Sequence, residues 1–162
     1  MTVIVNKPEL LQRIIAQLTH DLELFFSAAK TAHEASIHEE NAPDNKYDTL
    51  ALEASYVAQG QANRAQEIRR SLECYKQLSL APESEVIGLT SLVTIEGENG
   101  NGRRLFIGPG EGGLKIADDQ GEIMVITPAS PLGRELLGKC QGETVEIVTG
   151  SSRMEYEIVA VR

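Results

Sequence analysis

The residues best suited to chemistry are crowded into one short stretch. Between His33 and Asp48 the chain carries Glu34, Glu39, Glu40, Asp44 and Asp48, together with His33 and His38. Carboxylates are hard oxygen ligands, and Mg²⁺ keeps several waters and is commonly held by one or two carboxylates plus phosphate. A resident metal site is not expected. His33 and His38 are five apart and fall on different faces of a helix, while Glu34 and His38 share a face with no third ligand. Taken alone, such acid is ordinary solvated charge. Gly108-Pro109-Gly110-Glu111-Gly112-Gly113 lacks the Lys-Ser/Thr that completes a phosphate loop and reads as a turn. Cys74 and Cys140 have no metal-ligand spacing and read as reduced thiols.

The acids need an element to present them, and the flanking sequence supplies two helices. Leu11, Ile15, Leu18, Leu22, Phe25, Ala29 and Ala32 recur at alternating spacings of four and three, the period of a coiled-coil seam. Tyr47, Ala51, Ala54, Ala58, Gln61, Ala65, Ile68, Leu72 and Tyr75 repeat it. Each seam needs a partner, so the two helices are expected to pair as an antiparallel hairpin. Pro43 breaks a continuous helix, and Asp44 and Asn45 favour a turn, which places the tip between Glu39 and Tyr47. Each arm of roughly 33 residues would extend ~50 Å at ~1.5 Å per residue.

After Leu80 the period changes. Ala81-Pro82-Glu83-Ser84-Glu85 reads as a linker, dividing the chain into 1–80 and 81–162. Beyond it β-branched residues and glycine turns predict strands at Leu89–Glu96, Arg103–Ile107, Gly113–Ala117, Glu122–Thr127, Thr144–Val148 and Met154–Val161. Met154, Tyr156, Ile158 and Ala160 alternate with charged residues, as in a strand with one buried face. Ser130 can cap a short helix, Pro131 suits its first position and Gly138 its end, bracketing Leu132–Leu137. The expected fold class is α+β, a helical coiled-coil hairpin followed by a small antiparallel β domain with one short helix.

Charge and composition narrow the partners. A formal net charge of -9 and aromatics at 4% with no Trp disfavour free DNA binding and base-stacking platforms for single strands. A protein partner is expected instead. With no signal-peptide core and no apolar run approaching ~20 residues, the expected location is the cytoplasm, with no membrane contact.

The segment Ile126-Thr127-Pro128-Ala129-Ser130-Pro131-Leu132-Gly133-Arg134-Glu135-Leu136-Leu137-Gly138-Lys139, followed by Gly142-Glu143-Thr144-Val145-Glu146-Ile147, resembles the C-terminal signature of the GreA/GreB transcript-cleavage factors. In that family a serine-proline turn opens a helix that ends in a Leu-hydrophobic-Gly-Lys run, and Gly-Asp/Glu then leads into a strand. Glu155-Tyr156-Glu157-Ile158 resembles the family's last strand. The N-terminal half matches by architecture. The resemblance implies an FKBP-like C-terminal domain that docks on the rim of the RNA polymerase secondary channel, with Ala129, Ser130, Pro131 and Leu132 as the contact. It also implies that the hairpin reaches toward the active centre, where acidic tip residues act on the RNA 3′ end of a backtracked complex. There they help hold a second Mg²⁺ shared with the polymerase. No stand-alone enzymatic activity and no stably bound cofactor are implied, and the paired seams fit a monomer.

The family's tip pattern is an Asp, two residues, then Glu-Asn, with an Ala and an aromatic soon after. Two registers fit. In one, Asp44 is the second acid, Asn41 stands in place of the first, and Tyr47 follows one residue early. In the other, Glu40 is the second acid and Ile37 replaces the first. The implied catalytic residues are Asp44, which would also be the Mg²⁺ ligand, and Glu40 in support. Four functions compete: rescue of backtracked polymerase by stimulated RNA cleavage, non-cleaving regulation from the same channel, FKBP-like prolyl isomerisation with Phe106 and Tyr156 as its aromatics, and dimerisation as a coiled-coil adaptor. The first leads and the second is its alternative.

Overall fold

The computed structural model describes residues 6–40 and 48–162, with side chains described for 6–35 and 56–162. Asn6 opens α1 (Lys7–Glu40) by accepting the Glu9 N–H on its side-chain oxygen at 2.8 Å, a helix cap at a position where the backbone donor would otherwise have no partner. α2 runs Asp48–Lys76. The two helices form the N-terminal hairpin and flank residues 41–47, so the expected tip, with Asp44, falls outside the described residues.

In the second seam Ala65, Ile68, Leu72 and Tyr75 are buried and Ala58 and Gln61 half-buried, while Tyr47 and the side chains of Ala51 and Ala54 lie outside the described set. In α1, Leu18 is buried, and Leu22, Phe25, Ala29 and Ala32 are half-buried. Phe26, beside that seam, carries the Arg69 guanidinium of α2 over its ring, 5.1 Å from the centroid. The base of α1 departs from expectation. Leu10 and Ile14 are fully buried while Leu11 and Ile15 are half-buried. The chain divides into two compact units, Ile15–Lys76 and Met1–Ile14 with Gln77–Arg162. The first turns of α1 thus belong with the β-rich unit, and their apolar stripe is wider than a two-position seam.

In the second unit a six-stranded sheet is ordered β3-β4-β2-β1-β6-β5. The strands are β1 (Leu92–Gly97), β2 (Gly102–Ile107), β3 (Lys115–Asp118), β4 (Gly121–Ile126), β5 (Thr144–Thr149) and β6 (Ser152–Val161), with α3 (Pro131–Leu136) between β4 and β5. Its core joins Ile87, Val93, Ile95, Leu105, Ile107, Ile126, Leu136, Val145, Tyr156 and Ile158, with Leu132 and Leu137 packed against it. The fold class is the expected α+β arrangement. One pairing differs from an all-antiparallel sheet: β2 and β4 run parallel, because the chain leaves β2 through the Gly108–Gly113 turn, forms β3 at the sheet edge, and returns as β4 between them. Strand alternation carries no information on that order.

β1 begins at Leu92, three residues later than expected. Thr90 has φ 73°, a conformation that a β-branched residue rarely adopts and no strand tolerates. Local bonds hold it there. The Thr90 N–H donates to Ile107 O at 2.8 Å, and its buried hydroxyl accepts the Ala81 N–H at 2.9 Å, anchoring the linker. The Ala81 carbonyl in turn accepts from Lys7 Nζ at 3.3 Å. Burial lowers the Lys7 ammonium pKa, an effect that nearby Glu83 opposes.

In β6, Tyr156 and Ile158 are buried but Met154 is half exposed, beyond the stretch of the strand that the core covers. The solvent face of the sheet is acidic. Glu96 on β1 stands directly opposite Glu157 on β6, Glu155 opposite Glu146 on β5, and Glu96, Glu98, Glu155 and Glu157 line an open groove of about 400 Å³. At the other edge, Arg104 on β2 forks onto Asp118 at the end of β3, with Nη1 2.8 Å from Oδ2 and Nη2 on Oδ1. Asp118 is buried and also accepts the Gln120 N–H at 2.9 Å.

Candidate functional site

Ser130 builds the turn that leads into α3. Its hydroxyl donates to Thr127 O at 2.8 Å and accepts the Gly133 N–H at 3.0 Å, so one side chain satisfies an orphan helix donor and fixes the incoming strand end. Its backbone N–H adds a third tie to Thr127 O at 3.1 Å. Pro131 follows at the first helical position, where its missing N–H costs nothing. α3 stops where the Leu137 N–H reaches Gly133 O at 3.0 Å and Gly138 takes φ 82°, open to glycine without strain. Gly138 N–H then donates to Ile87 O and Ile87 N–H to Lys139 O, both at 2.9 Å, clipping the helix end to the segment that precedes β1.

The four residues expected to make the partner contact are contiguous on this turn but not equivalent. Ala129 and Pro131 are exposed, Ser130 is half-buried and occupied with capping, and Leu132 packs against the core. The accessible surface is therefore the alanine and the proline ring, with Ser130 and Leu132 shaping it from beneath. Two neighbours missed by sequence reasoning complete the turn. A Cβ on Gly133 would lie 2.0 Å from Thr127 O, so only glycine lets helix and strand end approach this closely. Arg134 donates its Nε–H to Ala129 O at 2.9 Å. The spacing of Ser130, Pro131 and Gly138 reveals the helix, whereas these two contacts depend on the path of Thr127 through space.

The side chains of the expected tip residues are not among those described. Glu40 is the last residue of α1, with its side chain outside the described set, and Asp44 lies outside the described residues altogether. Of the neighbouring groups, His33 and Glu34 are exposed on α1. Phe106 and Tyr156 are both buried in the sheet unit, so they do not form an open aromatic-lined pocket of the kind that prolyl isomerisation requires. No helix among the described residues is long and apolar enough to cross a membrane.

Residues 82–162 match the family model described as transcription elongation factor, GreA/GreB, C-term. The chain belongs to the GreA/GreB family of transcription elongation factors, proteins that bind RNA polymerase. Over 156 residues, covering 93% of the chain, it is 31% identical to the transcription inhibitor protein Gfh1 of Thermus thermophilus, of which the match covers 91%. It is 30% identical to the protein of the same name from Thermus aquaticus, covering 93% of this chain and 90% of that one. The crystal structure of Thermus aquaticus Gfh1 aligns at 22% identity and TM-score 0.40, covering 93% of this chain and 92% of that one.

Proposed function

We propose that the protein docks on the RNA polymerase secondary channel through the Ala129-Ser130-Pro131-Leu132 turn, inserts its hairpin, and restrains nucleotide addition without stimulating RNA cleavage. The observation that carries this is the match along nearly the whole chain to proteins named as transcription inhibitors. The tip sequence agrees with it, since neither register keeps both acids of the cleavage factors: Asn41 accompanies Asp44 in one, and Ile37 accompanies Glu40 in the other. The protein would act as a monomer in the cytoplasm, its partner the polymerase core, with the RNA 3′ end approached only inside the complex.

A second reading rests on the acids that remain. Glu39, Glu40, Asp44 and Asp48 supply enough carboxylate for Asp44, supported by Glu40, to help hold a Mg²⁺ shared with the polymerase active site and to promote hydrolysis. One experiment separates the two. Purified protein is added to stalled, backtracked elongation complexes and, in parallel, to complexes supplied with nucleotides. The first reading expects unshortened RNA and elongation that slows with protein concentration. Shortened RNA with a released 3′ fragment would replace it by the second.

A further inference from the structure

Resting on the polymerase-docking reading above, we infer that Arg134 supplies the charged contact of this turn, presenting a guanidinium fork to a carboxylate on the polymerase surface. Ala129 and Pro131 are the exposed residues of the turn, and both are uncharged. An uncharged corner can fill a shallow apolar depression, but it offers no charge-assisted hydrogen bond to fix orientation. Arg134 lies one helical turn beyond Ser130, exposed, and its Nε–H is spent on the Ala129 carbonyl at 2.9 Å. That bond holds the stem of the guanidinium against the turn. The four N–H donors of Nη1 and Nη2 remain, and among the described residues they have no partner.

Arg13, whose Nη2 donates to Ala117 O at 2.7 Å, shows that a guanidinium held on a backbone carbonyl recurs in this chain. Lys and Arg number 15 against 24 Asp and Glu, and Arg64, Arg104 and Arg153 are each paired with a carboxylate. Arg134 is instead anchored through Nε to a backbone carbonyl, which orients the group without neutralising it. A planar fork with two free amino groups matches a carboxylate bidentately, and because the stem is already fixed, less side-chain freedom is lost on binding. A phosphate backbone is the less fitting occupant. Nucleic acid affinity grows with the number of phosphates neutralised together, and the chain as a whole carries a formal net charge of -9. Arg134 is thus a partner-binding residue, while Ser130 and Gly133 position it by fixing Ala129.

The full-length protein is compared with Arg134→Gln and Arg134→Lys for affinity to purified core polymerase over a range of salt concentrations, with melting curves of each free protein. Arg134→Gln keeps a planar donor group but loses the charge. It should bind at least about 10-fold more weakly at low salt, the scale of an interfacial charge pair losing one partner, and its affinity should fall less steeply as salt rises. Arg134→Lys, with charge but no fork, should lie between. A purely structural role would lower the melting temperature of both variants and leave the salt slope unchanged. That outcome, or wild-type affinity in Arg134→Gln, overturns the inference while leaving polymerase docking intact. Loss of binding to free RNA rather than to polymerase overturns it in favour of a phosphate ligand. Wild-type protein that fails to bind the core at all removes the docking reading and this inference with it.

Discussion

Gly133→Ala tests whether the turn is as tightly built as it looks. The added Cβ would sit 2.0 Å from Thr127 O, 3.0 Å from Thr127 C and 2.9 Å from Ser130 Oγ. A carbon rests against a carbonyl oxygen at roughly 3.3 Å, so the Thr127 carbonyl or the helix must retreat by about 1.3 Å from the 2.0 Å overlap. Neither is a flexible side chain that can swing away. The displaced carbonyl is the one that accepts both the Ser130 hydroxyl and the Ser130 N–H, and the same movement opens the Ser130 cap on Gly133. Losing a serine cap costs about 0.5–2 kcal/mol and each further hydrogen bond about 0.5–1.5 kcal/mol, against a helix-propensity gain for alanine of about 1 kcal/mol. A net loss of about 2–3 kcal/mol follows, and at ~4–8 °C per kcal/mol for a unit of this size the β-rich unit should melt roughly 10–20 °C lower. Differential scanning calorimetry is the suitable assay, since the chain has no Trp. Polymerase affinity should fall in parallel. A Gly133→Ala protein that melts within about 2 °C of wild type would show that Thr127 is not held as described.

Asp118→Ala strips the carboxylate from a buried ion pair, leaving the Arg104 fork and the Gln120 N–H without their acceptor; a loss of about 3–5 kcal/mol is expected in chemical denaturation, and a change below about 1 kcal/mol would mean that the pair is not buried in solution. Gly60→Ala acts in the opposite direction. Gly60 lies within α2, and a Cβ added there would meet nothing within 4 Å, so the hairpin should gain about 0.5–1 kcal/mol, visible as a higher helix melting temperature by circular dichroism. At the tip, Asp44→Asn and Glu40→Gln should relieve the effect on elongation yet leave polymerase affinity within about twofold, the usual reach of a surface substitution away from the contact. A large loss of affinity in either variant would place part of the docking surface on the hairpin.

Much of this architecture is legible in the order of residues because the signals are local. The cap at Ser130, the proline at 131 and the positive-φ glycine at 138 delimit α3 within one residue. The second heptad series finds Ala65, Ile68, Leu72 and Tyr75, all buried. What escapes is set by distant parts of the chain. Leu10 and Leu11 are adjacent leucines, and only the association of the first turns of α1 with the β-rich unit decides that Leu10 is the buried one. Thr90 is β-branched and reads as strand, yet bonds to Ala81 and Ile107 hold it at φ 73°. The parallel pairing of β2 with β4 and the salt bridge of Arg104 to Asp118 likewise depend on which strand lies beside which. The candidate contact divides in the same way: its turn is local and readable, whereas Gly133 and Arg134 acquire their roles only from the position of Thr127 O and Ala129 O.

The facing glutamates on the sheet give the molecule two opposed responses to its medium. Like charges directly across a strand pair destabilise it. Glu96 stands against Glu157 with Glu155 alongside, while Arg153 of the same strand is taken by Glu146 at 3.4 Å. Dissolved ions screen repulsion between exposed groups, so the β-rich unit should grow firmer as the solution becomes more saline. Attraction between an arginine and a partner's carboxylate weakens under the same change. If the Arg134 contact holds, salt would therefore act in opposite directions on the free protein's sheet and on its attachment to the polymerase.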